Sequence, residues 1–355
     1  MNDKTNLASG GTSAWSRIKD VVEKVFRWCL PFAISILLVI WLFHKVDFHE
    51  MVYVIRHECN FWWIALMMVI TMLSHMIRGT RWGIQLRGAG LPRVSPVIEW
   101  ISIFGAYALN LLFPYLGETW RCLFMAKRER SKISTVVGTD FGDRGSDAVV
   151  IMTLFGVAMI VAHKYMEKFL DHYSIGERLC HYMDKPGLWI GLVIGVAVIW
   201  FVLYFFRHYR LVQKIDGSID SAWKGFKVLF TMKGRGWYVV LTLGIWTCYF
   251  LETYIGLHAF PFTRGLLTDP GSAYGLIPGL VVFVFGSFSM AIPSNGGLGP
   301  WNVAVMFALS LYGISDTQGV AYSIVMWGCQ TIMLIILGIF SAIYIATHKM
   351  QSNDK

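Results

Sequence analysis

Apolar runs of membrane-spanning length, interrupted twice by proline and glycine, constrain this chain more than any other feature. A run of roughly 17–25 apolar residues matches bilayer thickness when wound as a helix. Such runs lie at 28–43, 61–77, 97–113, 146–162, 188–206, 237–258, 276–292 and 320–347. After the seventh comes "AIPSNGGLGPW" (291–301), with two prolines and three glycines, and then another apolar stretch. Backbone groups freed at such a break find no partner in hydrocarbon. A break at that depth is tolerated only where protein or a cavity surrounds it.

Composition agrees: 55% of the 355 residues are hydrophobic and only 15% charged, which excludes a soluble two-domain reading. Mostly polar residues fill 1–27, and no small-residue cleavage site follows Leu42, so the first run is expected to remain as an anchor. The six cysteines form no C-x-x-C pair and are read as small hydrophobes, with no disulfide expected. The formal charge of +9 lies in segments between runs, as in cytoplasmic loops of membrane proteins, and does not call for nucleic acid.

Orientation follows from the basic residues. The stretch 127–144 carries five (Lys127, Arg128, Arg130, Lys132, Arg144), and 207–236 carries seven. With the N-terminus inside, the third run ends outside near Phe113, so something must return the chain before 127. The candidate is "YLGETWRCLFMA" (115–126), a helix of about 18 Å against an apolar core of about 30 Å. Residues 301–313 repeat the pattern behind the second break. Treating both short pieces as return segments puts 23 of 31 basic residues inside. The alternative makes them surface helices and leaves two basic clusters outside.

The expected fold is therefore an all-α polytopic membrane protein, with about eight transmembrane helices and two short Pro/Gly-broken return helices. A cytoplasmic tail (1–27) precedes one membrane domain (28–347), and a short cytoplasmic tail (348–355) follows. Residues 28–162 and 188–347 read as inverted half-repeats, with "FPYLG" (113–117) answering "IPSNG" (292–296). Interrupted segments at matching places in two halves point to a transport site.

Candidate site residues cluster at these breaks. In "PYLGETWR", Glu118 and Arg121 share a helical face at i, i+3. They serve either a substrate or each other, as an ion pair locking the short helix. In "TDFGDRGSDAVV", Asp143 and Asp147 flank Arg144. The acids suit a helix N-terminus, Arg144 suits a lipid phosphate, and the two Asp are a weak Mg²⁺ pair. The second break offers Asn295, Gly296, Gly297 and Gly299, whose N–H groups would face an anion, and then Asn302. Glu252, deep in its run, is a candidate coupling residue, and His75 reads as a packing residue. Loop 207–236 has helical apolar spacing with lysines elsewhere, as for a helix on an anionic leaflet or packed on its own protein.

Four motifs in this order, "RGTRW" (78–82), "NLLFPYLGETWR" (110–121), "GDRGSD" (142–147) and "PSNGGLGPWN" (293–302), resemble the flippase-like membrane region of the lysylphosphatidylglycerol synthases. The likeness covers nearly the whole chain. In that family the first break reads Gly-Glu followed by Arg, matched by Gly117, Glu118 and Arg121. Its acidic–Arg–Asp motif is matched by Asp143, Arg144 and Asp147. Where the family commonly has Glu after the Gly-rich loop, this chain has Asn302, which argues against a cationic headgroup. The resemblance implies translocation of a lipid or lipid-linked substrate, at the cytoplasmic membrane of a bacterial-type cell. With eight residues after the last run, no aminoacyl-transferring domain is expected here. The expectation is a transport protein rather than an enzyme, without cofactor or metal. A separate lipid-modifying enzyme or a second copy are its candidate protein partners. The competing readings are a lipid-phosphate or glycosyl transferase using Asp143 and Asp147, a proton-coupled small-solute transporter, and a scaffold for a separate synthase.

Overall fold

The computed structural model describes residues 47–163 and 227–348, together with 33, 35–42, 44 and 223. The run at 188–206, most of the run at 28–43, loop 163–187 beyond His163, most of the amphipathic stretch in 207–236 and both tails lie outside the described residues. The described chain is helical, with no strand among those residues. Its helices are α1 (Phe48–His57), α2 (Phe61–Gly88), α3 (Pro96–Leu112), α4 (Leu116–Arg128), α5 (Ile133–Val161), α6 (Arg235–Gly256), α7 (Pro261–Thr268), α8 (Leu276–Ser289), α9 (Pro300–Ser310) and α10 (Asp316–Thr347). Segments α2, α5, Arg235–Ala259 and α10 are long and apolar enough to cross a membrane. The protein is an all-α membrane protein.

Local chemistry sets these boundaries. Asp47 caps α1 by accepting from the N–H groups of His49 and Glu50, and Ser315 with Gln318 forms a capping box on α10. Proline opens α3, α7 and α9, where its missing N–H costs nothing. The runs at 97–113 and 276–292 become helices of 17 and 14 residues, about 25 and 21 Å long, because the breaks stop them short of a full crossing. Helix α5 is longer than its apolar run: it starts at Ile133 rather than near 146. The amphipathic α1 and α7 were not anticipated; each is too short for a spanning pattern.

Contacts fix the directions. Helix α2 runs antiparallel to α6, with Gln85 bonded to Tyr238, Arg81 to Thr242 and Arg78 to Tyr249. The end of α2 therefore lies beside the start of α6, and α3 sets out from that same end. Helix α4 returns to it and α5 leaves from it. At the opposite end, the Asn60 N–H donates to the Ala259 carbonyl at 2.7 Å, joining the start of α2 to the end of α6. From there α8 enters, α9 returns, and α10 runs back until Tyr344 and Ile345 pack beside Leu91 and Ile98. Two helical hairpins, α3–α4 and α8–α9, thus enter from opposite ends. Large apolar side chains on the outer faces of the long helices, such as Trp62, Val149, Leu243 and Ile336, are exposed in a way that suits lipid and not water.

The first hairpin is tight enough to require glycine. A Cβ at Gly117 would lie 1.8 Å from the Ala106 carbonyl oxygen. Only a residue without one lets α4 lie this close to α3.

Candidate functional site

The hairpin tips meet in the interior and satisfy each other's backbone. Asn110, near the end of α3, accepts from the Gly117 N–H at 2.8 Å and donates to Glu118 Oε1 at 3.1 Å. From the other tip, Asn295 Nδ2 donates to the Leu112 carbonyl at 2.6 Å, and the Gly296 N–H donates to the Asn110 carbonyl at 3.2 Å. Trp327 on α10 donates its indole N–H to the Gly296 carbonyl at 2.8 Å. These bonds take up helix-end groups that lipid cannot serve.

This corrects the open anion cradle expected at the second break. Gly296, Gly297 and Gly299 do adopt left-handed φ, at 57°, 83° and 90°. Their neighbourhood is nevertheless closed: the Leu298 N–H donates to the Asn295 carbonyl, the Trp301 N–H to the Gly297 carbonyl, and the Gly299 N–H to Asn302 Oδ1. Asn302 is 1% exposed, and its amide nitrogen donates to Ser323 Oγ at 3.2 Å. Its side chain caps α9 and reaches no cavity.

The charged residues pair between helices rather than along them. Glu118 meets Arg144 of α5, and Arg121 meets Asp140 of α5. Of the two alternatives for Glu118 and Arg121, the mutual pair along α4 is not formed, because antiparallel α5 offers each residue an opposite charge one turn apart. Another face of α5 turns Asp143 and Asp147 toward α2. Arg81 reaches Asp143 at 2.7 Å and Asp147 at 2.9 Å, while Arg78 reaches Asp147 at 2.8 Å and Asp143 at 3.5 Å. Both acids lie at least ten residues inside α5, so the helix-N-terminus reading fails for them. Nor does Arg144 sit between them; it points to Glu118. Tyr249 accepts from Arg78 at 3.3 Å, Thr242 from Arg81 at 3.2 Å, and Trp246 donates to Asp147 at 3.3 Å. Arg121 lies over the Trp82 ring at 4.3 Å.

A cavity of about 550 Å³ opens beside this network. Its polar lining includes Arg78, Arg144, Asp147, Glu118 and Asn110, and its apolar lining includes Ile151, Phe283, Met290 and Leu334. Of the residues singled out in the sequence, Glu118, Arg144, Asp147, Gly296 and Glu252 line it. Arg121, Asp143, Asn295, Gly297, Gly299 and Asn302 do not. Asn295 instead lines a second, apolar cavity of about 380 Å³ beyond Trp327. Glu252 Oε1 accepts from Gln330 Nε2 at 2.9 Å.

Arg78, Arg81, Asn110, Tyr249 and Gln330 escaped the sequence reading as site residues. The two arginines did leave a signal. They stand at i, i+3 immediately after an apolar run, as Glu118 and Arg121 do within a short one, but a spanning run that ends at residue 77 leaves both outside it. His75 was read as a packing residue. It packs on Tyr107, with ring centroids 4.7 Å apart, and it also lines the cavity.

The family model described as the lysylphosphatidylglycerol synthase TM region matches residues 28–338. No curated protein and no solved structure matches the chain.

Proposed function

The chain belongs to the lysylphosphatidylglycerol synthase TM-region family, and from that premise we propose that it translocates a lipid or lipid-linked molecule with a phosphate-bearing headgroup. The observation that carries this reading is the cavity between the two broken hairpins, lined by two arginines as well as by apolar side chains. A headgroup crossing hydrocarbon loses its hydration, and a polar cavity at that depth offsets the loss while the acyl chains stay in lipid. Arg144 is the natural first contact. Its side chain is 48% exposed, against 7% for Arg78 and none for Arg81, so a phosphate can approach it without dismantling the buried network. Guanidinium binds phosphate through paired N–H donors, which a lysine would not reproduce.

The transferase reading loses ground because Asp143 and Asp147 are each held by two guanidiniums, which compete with any metal for the same oxygens. Glu252 bonds to Gln330 and makes no ion pair among the described residues, which keeps a coupling role within the same transport reading.

The test is reconstitution into vesicles carrying fluorescent lipids of differing headgroup, with leaflet exchange followed with and without a proton gradient. The expected result is exchange of phosphate-bearing lipids, reduced at least tenfold by Arg144→Ala without loss of folded protein. Exchange no faster than in protein-free vesicles, for every lipid tried, would refute the proposal.

A further inference from the structure

The polar lining of the cavity is unfinished in a specific way. His75 is 4% exposed, and neither ring nitrogen has a hydrogen-bond partner among the described residues. Its ring packs against Tyr107, so its orientation is fixed by packing rather than by a polar contact. One turn along α3 from Tyr107, Asn110 holds Glu118 by Oε1, which Arg144 also meets, and Glu118 Oε2 is buried without a hydrogen bond among the described residues. His75 and Glu118 both line the one cavity. A buried polar atom left unpaired costs about 1–3 kcal/mol, and such atoms in native proteins normally have partners.

We propose that these atoms form a subsite for a headgroup bearing more than one hydroxyl, such as glycerol, inositol or a sugar. The demand of this lining selects the chemistry. A neutral imidazole presents one N–H donor and one acceptor nitrogen, and a carboxylate oxygen accepts only. The ligand must therefore supply at least one acceptor and at least two donors. An ammonium group has donors alone and leaves the imidazole N–H unpaired. A bare phosphate has acceptors and leaves both the imidazole nitrogen and Glu118 Oε2 unpaired. Two hydroxyls meet all three needs, since each both donates and accepts. Arg144, which meets Glu118 through one guanidinium nitrogen, stands beside this subsite, and its remaining N–H groups face no other ion-pair partner among the described residues and would serve the phosphate. The headgroup would thus lie with its phosphate toward α5 and its hydroxyls toward His75.

The inference rests on the cavity being a headgroup site, and it is read by binding rather than by movement. A protein that binds but does not translocate would refute the proposed function and leave this inference standing. The measurement is thermal stabilisation of the purified full chain in detergent by short-chain lipids. The probes are dihexanoyl phosphatidylglycerol and phosphatidylinositol against dihexanoyl phosphatidic acid and phosphatidylethanolamine. The two hydroxylated lipids are expected to act at roughly tenfold lower concentration than the other two, the size of one buried hydrogen-bond need. His75→Phe, which keeps a ring against Tyr107, is expected to erase that preference with the unliganded melting temperature little changed. His75→Gln, which restores a donor and an acceptor, is expected to recover it. Phosphatidic acid or phosphatidylethanolamine ranking first overturns the proposal, as does a hydroxyl preference that survives in His75→Phe. Should His75→Phe not fold, the ranking in the unaltered protein decides alone.

Discussion

At the scale of single residues, the four arginines and four acids that meet around α5 have unequal tasks. Asp143 and Arg81 are fully buried and reach no cavity, so they hold helices together; Asp147 and Arg144 touch the cavity. Removing one member of a buried pair strands the other charge, at a cost of about 3–5 kcal/mol, whereas replacing both with apolar groups is often neutral. Asp143→Ala is therefore expected to lower the melting temperature of the purified protein sharply. Arg81→Leu with Asp143→Leu should regain most of the loss. A double variant as unstable as the single one would show that Arg81 acts through Thr242 and Asp147 instead. Asn302 shows how a residue's identity misleads without its surroundings. As an amide in place of a family glutamate it argues against a cationic headgroup, yet both ends of its amide are spent on Gly299 and Ser323. The interhelical pairs were invisible for a similar reason. Arg78 and Asp147 are distant in sequence, and no local pattern announces which acid a given arginine will meet.

At the scale of elements, the breaks were legible and their purpose was not. Proline and glycine announce interruption, and the apolar runs beside them put it at membrane depth. That Asn295 from one tip would serve the Leu112 carbonyl of the other depends on tertiary approach alone. The close seat of α4 on α3 can be tested against a matched control. Gly117→Ala drives a Cβ into the Ala106 carbonyl, while an added Cβ at Gly328 on α10 meets nothing within 4 Å. Gly117→Ala is expected to lose monodisperse protein on size exclusion. Gly328→Ala should behave as the unaltered chain or slightly better, since alanine favours helix. Equal behaviour of the two would mean that the hairpin can open by an ångström or more without penalty.

At the scale of the whole molecule, packing partners correspond across the two halves. Helix α2 packs on α6; α3 packs on α10 as α8 packs on α5; and each hairpin closes on its own short return helix. Such a correspondence is what an inverted repeat would produce, and it leaves open which end faces the cytoplasm. Charge predicts which. The end where α2 finishes and α4 returns carries Arg87, Arg93, Lys127, Arg128, Lys132, Lys233 and Arg235, while the other carries Asp47, Glu50, Glu58, Asp269 and Asp316 with few bases. Lysine and arginine are retained on the cytoplasmic side during insertion, so the first end should be inside. Lys132, exposed at the start of α5, and Gly265, exposed on α7 with open space at its Cβ, sit at the two ends. With the six native cysteines replaced, a cysteine at position 265 should react with a membrane-impermeant maleimide in intact cells. One at position 132 should react only after the membrane is opened. Labelling of position 132 from outside would invert the molecule, and the hairpin bearing Glu118 would then open to the exterior.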